Sequence, residues 1–289
     1  MNAPQSPVIA NPWAALRQFT DARIALGRAG VSLPTAAHLD FQLAHAKARD
    51  AVHLALDVSQ LASTLTTSLQ EQSAPCLTLH SAASDRTTYL QRPDLGRRLD
   101  AASREALNAL TRPTGEPPSA RPYDLAFVVV DGLSALAIEQ NAAPFLIALQ
   151  ARLAAENRSI APICIVEQGR VAVGDEVAER LGAKAVLVLI GERPGLSSPD
   201  SMGLYLTWMP RVGLTDASRN CISNVRPAGL GFDEAVGKLH YLLSQARQRQ
   251  VSGVELKEEA AGNDQLTADQ QKNFLLEHAQ APIEANPSP

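Results

Sequence analysis

The sequence predicts an α/β fold: a Rossmann-like, mostly parallel sheet with flanking helices, preceded by a helical N-terminal domain. Apolar runs at residues 125–130, 163–166 and 185–190 are rich in Val, Ile and Leu, which is typical of parallel strands buried on both faces. Segments with helical periodicity separate these runs, as in βαβ units. The first and last runs also lead directly into glycine-containing loops, where a backbone can approach a ligand closely. In open sheets of this class, ligands bind at the carboxyl ends of the strands.

The N-terminal part, residues 1–111, has mainly helical periodicity. Apolar spacing indicates helices between Trp13 and about Leu56, with Thr35 as an N-cap after a proline. A further helix is predicted to open within 89–99 and to continue through Leu110. The segment 61–79 fits a helix or a strand, and the pattern does not decide between them.

A domain boundary is predicted at residues 112–123, because RPTGEPPSARPY is rich in Pro, Gly and Ser. A Rossmann-like domain over 124–250 should follow, and residues 251–289 form an acidic tail that we expect to be flexible. Within the domain, strands are expected at 125–130, 163–166, 185–190 and 204–208. The helices expected there lie at 143–155, 175–181 (closed by Gly182) and 232–249.

Composition excludes several classes of partner. The chain has 289 residues, a net charge of -4 and only 4% aromatic residues, so nothing favours nucleic-acid binding. No stretch reaches the roughly 18 apolar residues of a membrane span, and the first residues do not form a secretion signal. The three cysteines have no CxxC spacing, which fits a reducing compartment. We therefore expect a cytoplasmic protein.

Two common kinds of site do not fit the residues. A dinucleotide fingerprint needs G-x-G-x-x-G after the first strand, and residues 131–134 (DGLS) contain one glycine; no Walker A lysine motif is present. His38 and His45 fall on one helical face, yet no cysteine or acid completes a zinc ligand set. No metal site is predicted.

Other residues carry open alternatives. Glu192, at a strand end, can accept hydrogen bonds from a ligand's amides or form an ion pair with Arg193 or Arg170. Cys221 is expected to be a small buried hydrophobe rather than a nucleophile, and Val171 is expected to be ordinary core or edge packing. Four arginines form a further set of candidates: Arg28, Arg92, Arg97 and Arg98. A guanidinium group can bind a carboxylate or a phosphate at an interface, but we expect at least two of the four to lie on a solvated helix face.

Several segments together resemble a known family. They are GRAG (27–30), YLQRPDLGRRL (89–99), DGLSALAI (131–138), GRV (169–171), LGAKAVLVLIGERPGLSSPDS (181–201), PR (210–211) and, after Arg219, CISN (221–224). In this order and spacing, the sequence resembles the small (light) subunit of ethanolamine ammonia-lyase over about residues 23–243. The tail after residue 252 departs from that resemblance, since the family usually ends near there.

The resemblance implies a function. Members of this family are non-catalytic but required subunits of an adenosylcobalamin-dependent lyase, which converts ethanolamine to acetaldehyde and ammonia by a radical rearrangement. The family's large subunit carries the substrate site, and the Rossmann-like domain of the small subunit covers part of the shared cobalamin. The positions that match the family's corrinoid contacts are Val171, Glu192 and Cys221. No histidine here lies in the D-x-H-x-x-G motif that supplies cobalt ligands elsewhere, and the family is expected to lack it.

The implied partner is the large subunit of ethanolamine ammonia-lyase, in a hetero-oligomer with several copies of each chain and without nucleic acid or membrane. The N-terminal region 1–111 is expected to contact that subunit. The resemblance leaves open whether the complex enters a bacterial microcompartment. Two other functions remain as alternatives: a stand-alone Rossmann-type enzyme that uses a nucleotide, and a non-catalytic assembly module.

Overall fold

The computed structural model of the chain describes residues 6–69, 76–111 and 122–256. Its helices are α1 (Thr35–His53), α2 (Val58–Ser68), α3 (Arg86–Gln91), α4 (Ala101–Thr111), α5 (Ala135–Leu153), α6 (Val173–Leu181) and α7 (Phe232–Arg249). Its strands are β1 (Leu77–His80), β2 (Tyr123–Val130), β3 (Cys164–Glu167), β4 (Ala183–Gly191), β5 (Met202–Trp208) and β6 (Arg219–Val225). Short 3₁₀ helices occupy Pro12–Phe19, Leu95–Arg97, Asp216–Ser218 and Gly253–Glu255.

The strands form one mixed sheet in the order β1-β3-β2-β4-β5-β6. The first four strands in this order are parallel, whereas β5 runs antiparallel to β4 and β6 runs antiparallel to β5. The prediction of a mostly parallel, Rossmann-like sheet therefore holds only in part. The reason is the connection 192–201 between β4 and β5, which is shorter than the dozen or more residues that a parallel crossover needs.

Helices cover both sides of the sheet. Along β2, Leu125, Phe127 and Val129 belong to the core that contains α2, α5 and α7, while Val128 and Val130 belong to the core beneath α4 and α6. Successive side chains of a strand point to opposite faces, so a strand buried on both faces must be apolar at every position. This explains the uninterrupted apolar runs in the sequence.

The N-terminal part is not entirely helical. The ambiguous segment 61–79 contains the end of α2 and β1, and β1 joins the sheet beside β3. Thr35 is the first residue of α1, and no side chain caps this helix, so the expected cap is wrong. The helix predicted from residue 89 to residue 110 is interrupted after Gln91 because Pro93 cannot continue it. Residues 112–121 and 257–289 lie outside the described part of the chain, and the predicted domain division stays a prediction.

After residue 122 the predicted elements agree better with the structure. Helix α7 has the predicted bounds, and Gly182 ends α6 in the left-handed conformation at φ +71°. Helix α5 begins earlier than predicted because the Ser134 side chain accepts the Ala137 N–H at 3.2 Å as an N-cap. Strand β6 was not predicted as a strand.

Candidate functional site

The loops that follow β2 and β4 pack directly on each other. A Cβ at Gly132 would lie 2.3 Å from the Gly191 carbonyl oxygen, and one at Gly191 would lie 2.0 Å from the Ser134 carbonyl oxygen. The Leu133 N–H donates to the Gly191 carbonyl at 2.9 Å, and the Ser134 hydroxyl donates to the Pro199 carbonyl at 2.7 Å. The glycines therefore permit contact between the two loops rather than the approach of a ligand, which the sequence suggested.

Asp131 organises the same edge of the sheet. Its carboxylate accepts the backbone N–H groups of Gly132, Gln168 and Gly169 at 2.8, 3.0 and 3.2 Å, and it lies 3.7 Å from Arg86 Nη1. Burial raises the pKa of Asp131 to about 6, against the opposite effects of these donors and of Arg86. The loops after β2 and β3 are thus held by one buried acid.

Arg86 connects the N-terminal part to this edge. Its guanidinium donates to the carbonyl oxygens of Val52 and Gly132 at 2.7 and 2.8 Å. Arg86 and Arg170 also lie over the Tyr89 ring, at 4.7 and 4.2 Å from its centroid. Both arginines therefore have structural partners, and Arg170 does not pair with the strand-end acid that the sequence singled out.

Glu192 is half-buried at the end of β4. Its Oε2 atom accepts the Ser201 hydroxyl and, at 3.2 Å, the Asn224 backbone N–H. Asn224 has φ +60°, a left-handed conformation that asparagine tolerates better than most residues. Across the described ranges, these are the hydrogen bonds to the carboxylate, and no ion pair with Arg193 or Arg170 forms. The Oε1 atom therefore keeps its capacity to accept a hydrogen bond.

Cys221 lies on β6, directly opposite Tyr205 on β5. Its side chain is exposed, and its Sγ lies 3.3 Å from the Ser223 hydroxyl oxygen. The expectation that Cys221 is a small buried hydrophobe is therefore wrong. Cys164 is the buried cysteine, and burial raises the pKa of its thiol to about 12. Burial, together with the neighbouring Cys221 thiol, also raises the pKa of Tyr205.

The side chains of Glu192 and Tyr205 lie close together over the Cα atom of Gly203. A Cβ at Gly203 would lie 2.9 Å from Glu192 Oε1 and 3.2 Å from Tyr205 Cε2. We call Gly203, Tyr205, Cys221 and Ser223 the β5–β6 face. The main helix contacts of β5 and β6 are with α5 and α7, which pack on the opposite side of the sheet, and on this face Cys221 and Ser223 are exposed and Tyr205 is half-buried. The sequence analysis did not identify Tyr205, because its position opposite Cys221 depends on the antiparallel pairing of β5 with β6.

Val171 precedes α6 and packs, partly buried, against the apolar cluster that also supports Tyr205. The three residues named by the resemblance, Val171, Glu192 and Cys221, therefore lie on the α6 side of the sheet. The structure brings both Glu192 and Cys221 next to Tyr205, while Val171 lies just before the amino end of α6.

A buried ion pair fixes α6 against β6. The Arg219 guanidinium donates to the Asp175 carboxylate, and both side chains are 2% exposed. Burial raises the pKa of Asp175 to about 6, although Arg219 and Thr207 act to lower it. Gly174 lets the helix lie close to the sheet, since a Cβ there would be 2.3 Å from Val188 Cγ2. The β5–β6 face thus has a rigid support.

The remaining candidates do not converge on a site. Arg92 forms an exposed ion pair with Asp94 at 2.8 Å. The other members of the arginine set are exposed, and so are the two histidines weighed as zinc ligands: Arg28, Arg97, Arg98, His38 and His45. In the described ranges, no group of three metal-ligating side chains occurs, and no helix is long and apolar enough to cross a membrane.

A cavity of about 430 Å³ lies between the N-terminal segment and the start of α1. Arg17, Asp21, Arg23 and Asp40 are among its lining residues, and none of the three residues named by the resemblance lines it. The β5–β6 face is a surface and does not enclose a cavity by itself, so a ligand site there needs a partner that covers it. We base the candidate site on the chemistry of the β5–β6 face, not on this cavity.

Comparison with known proteins identifies the family. The sequence model of the family described as Ethanolamine ammonia-lyase light chain (EutC) matches residues 10–257. The chain is 56% identical to an ethanolamine ammonia-lyase small subunit of Pseudomonas putida (strain W619) over 277 residues, which cover 94% of this chain and 98% of the relative. Similar proteins with the same name occur in Ralstonia nicotianae (58% identity, 93% and 96% coverage) and Xanthomonas campestris pv. campestris (strain ATCC 33913; 56% identity, 96% and 99% coverage).

The family model ends at residue 257, which agrees with the expectation that the family ends near the start of the acidic tail. The alignment with the Xanthomonas campestris relative covers 96% of the chain, so it extends into part of that tail. With a family model that matches most of its length and relatives of more than half identity, this chain belongs to the ethanolamine ammonia-lyase small-subunit family.

Proposed function

We propose that this chain completes the adenosylcobalamin site of an ethanolamine ammonia-lyase, at the interface with the catalytic large subunit. The observation that carries the proposal is the placement of Glu192 and Cys221 next to Tyr205, on a strand face where Cys221 is exposed and Tyr205 is half-buried. When bound, adenosylcobalamin supplies the radical chemistry through cleavage of its cobalt–carbon bond. The residues of this chain bind and orient the cofactor.

The chemistry of these residues fits that role. A corrin ring is flat and carries primary amides around its edge, so a suitable surface needs an open apolar area beside a hydrogen-bond acceptor. Glu192 supplies the acceptor, because Ser201 and Asn224 occupy Oε2 and leave Oε1 available. These partners hold the carboxylate before any ligand arrives, which lowers the entropy lost on binding. Val171 and Cys221 add small side chains that do not obstruct a flat ligand.

The N-terminal part presents a surface suited to the large subunit. Most of the large apolar side chains that are exposed in the described residues lie before residue 55, and Trp13 and Phe19 are 64% and 62% exposed. Contiguous exposed apolar surface marks interaction sites. We propose that this surface contacts the large subunit through residues that include Ile9, Trp13, Phe19, Val31, Leu33, Leu39 and Leu43.

Reconstitution tests the proposed function. Acetaldehyde release from ethanolamine would be measured with adenosylcobalamin for this chain, for the large subunit and for the two co-expressed. We expect activity only in the pair and only with the cofactor. Full activity of the large subunit alone would reject a required role for this chain, and activity of this chain alone would favour a stand-alone enzyme.

The role of Glu192 needs its own measurement. Replacing Glu192 by Ala should weaken cofactor binding by the cost of leaving the ligand's hydrogen-bond donor unpaired, about 1–3 kcal/mol, or roughly 5- to 150-fold in Kd. Glu234→Ala is the matched control, because Glu234 is an exposed acid at the start of α7. An unchanged Kd for the Glu192 variant in the assembled complex would remove this residue from the site. Normal affinity in a large subunit without this chain would favour the assembly-module alternative.

A further inference from the structure

Tyr205 lies at the centre of the β5–β6 face but is not one of the three positions that the resemblance assigns. The antiparallel register places it directly opposite Cys221. Its Cε2 atom and Glu192 Oε1 both lie within 3.2 Å of the point where a side chain at Gly203 would begin. Tyr205 is therefore a neighbour of both Glu192 and Cys221, and a ligand that contacted these two residues would lie beside its ring.

The Tyr205 ring is half-buried and uncharged. The absence of a side chain at Gly203 leaves room for the Glu192 carboxylate to lie beside the Cε2 edge of the ring. Burial and the nearby groups, first among them the Cys221 thiol, raise its pKa, so the phenol stays neutral under ordinary conditions. A neutral aromatic ring is a large apolar contact with little conformational entropy to lose.

We propose that Tyr205 is a further contact residue of the cofactor surface, with its ring packed against the corrin macrocycle while Glu192 accepts a hydrogen bond at the edge of the macrocycle. The inference rests on the proposed function and deepens it. Its chemical basis is complementarity between the two surfaces. The corrin macrocycle is conjugated, largely apolar and bordered by amides, and the Tyr205 side chain is aromatic and lies beside the Glu192 carboxylate. Gly203 contributes by leaving room for both groups to face the same ligand.

The test uses the assembled complex of the two subunits and measures adenosylcobalamin affinity by equilibrium dialysis. Tyr205→Phe keeps the ring and should change Kd less than threefold. Tyr205→Ile keeps a strand-compatible side chain without the ring and should raise Kd about tenfold. The matched control is Tyr241→Ile, because Tyr241 is a half-buried tyrosine on α7, packed against the core on the opposite side of the sheet. Its Kd should equal that of the wild type.

A second readout separates contact from general damage. Cys221 is exposed, so its alkylation by N-ethylmaleimide can be followed by peptide mass spectrometry. The cofactor should protect Cys221 in the wild type and in Tyr205→Phe, and protection in Tyr205→Ile should need about tenfold more cofactor. If the isoleucine variant does not assemble, Tyr205→Leu replaces it in both assays.

The outcomes distinguish this inference from the proposed function. If Glu192→Ala weakens binding while the ring-free Tyr205 variant binds and protects like the wild type, the Tyr205 inference is overturned and the proposed function stands. If Tyr205→Phe loses affinity as strongly as the ring-free variant, the ring contact is also overturned. A wild-type complex that does not bind adenosylcobalamin would reject the proposed function, and this inference with it.

Discussion

Replacing Glu192 by Gln separates stability from cofactor binding. The Ser201 hydroxyl and the Asn224 N–H both donate to Oε2, so a glutamine must turn its amide oxygen toward these two donors. Its NH₂ group then takes the place of Oε1, next to Gly203. The protein keeps both internal hydrogen bonds, but the position that faces the ligand changes from an acceptor to a donor.

The size of the effect follows from this exchange. A hydrogen bond to a charged group contributes about 1.5–3 kcal/mol, and this bond is lost because the new NH₂ would face an amide N–H of the ligand. This predicts a Kd roughly 10- to 150-fold higher for adenosylcobalamin. Because the internal donors remain satisfied, the free energy of unfolding should change by less than about 1 kcal/mol.

The assay compares equilibrium dialysis of the cofactor with urea unfolding, for wild type, Glu192→Gln and Ser201→Ala. The serine variant removes one donor to Oε2 and leaves the carboxylate in place, so it should raise Kd by less than the glutamine variant does. A glutamine variant that binds the cofactor within twofold of the wild type would refute the acceptor role of Glu192. A large loss of stability with unchanged affinity would show that Glu192 serves the fold alone.

Three further predictions concern the support of the site, and urea unfolding of the full chain tests each. Arg86→Met should cost about 3–5 kcal/mol, because it leaves a buried Asp131 without its cation; a loss below 1 kcal/mol would contradict this. The pKa of Asp131 is raised from 3.8 to about 6, so between these pH values the native state retains a proton that the unfolded state releases. The contribution of this proton to the free energy of unfolding is complete below pH 4 and is lost as the pH rises through 6. Relative to Asp131→Asn, the wild type should therefore lose up to about 3 kcal/mol between pH 4 and pH 7, whereas a constant difference would argue against the raised pKa. Arg219→Met should cost about 3–5 kcal/mol by leaving Asp175 unpaired, and the double variant with Asp175→Leu should recover part of that loss; an equal or greater loss in the double variant would be inconsistent with a buried ion pair.

The sequence predicted the central strands and α7 because their patterns are local. Strands β2 and β4 are buried on both faces, which only a continuous apolar run satisfies, and Gly182 supplies the left-handed cap that ends α6. The direction of β5 is not encoded in its own residues. It follows from the length of the connection 192–201, which also contains two prolines and leaves no room for a crossover helix.

The site was only partly predictable for the same reason. Position alone left Glu192 with two alternatives, and the contacts from Ser201 and Asn224 come from segments that only the fold brings to it. Tyr205 and Cys221 are separated by 16 residues in the chain and become neighbours through the antiparallel register. The identification of Val171 as a site residue came from the family resemblance, because nothing in its own surroundings distinguishes it from core packing.

The most direct test of the central claim is the affinity of cobalamin for the large subunit with and without this chain. Cyanocobalamin, which does not undergo the radical reaction, can be titrated by equilibrium dialysis against the large subunit alone and against the assembled complex. If this chain completes the site, the complex should bind at least tenfold more tightly than the large subunit alone. Equal affinity in the two preparations would show that the β5–β6 face does not contact the cofactor.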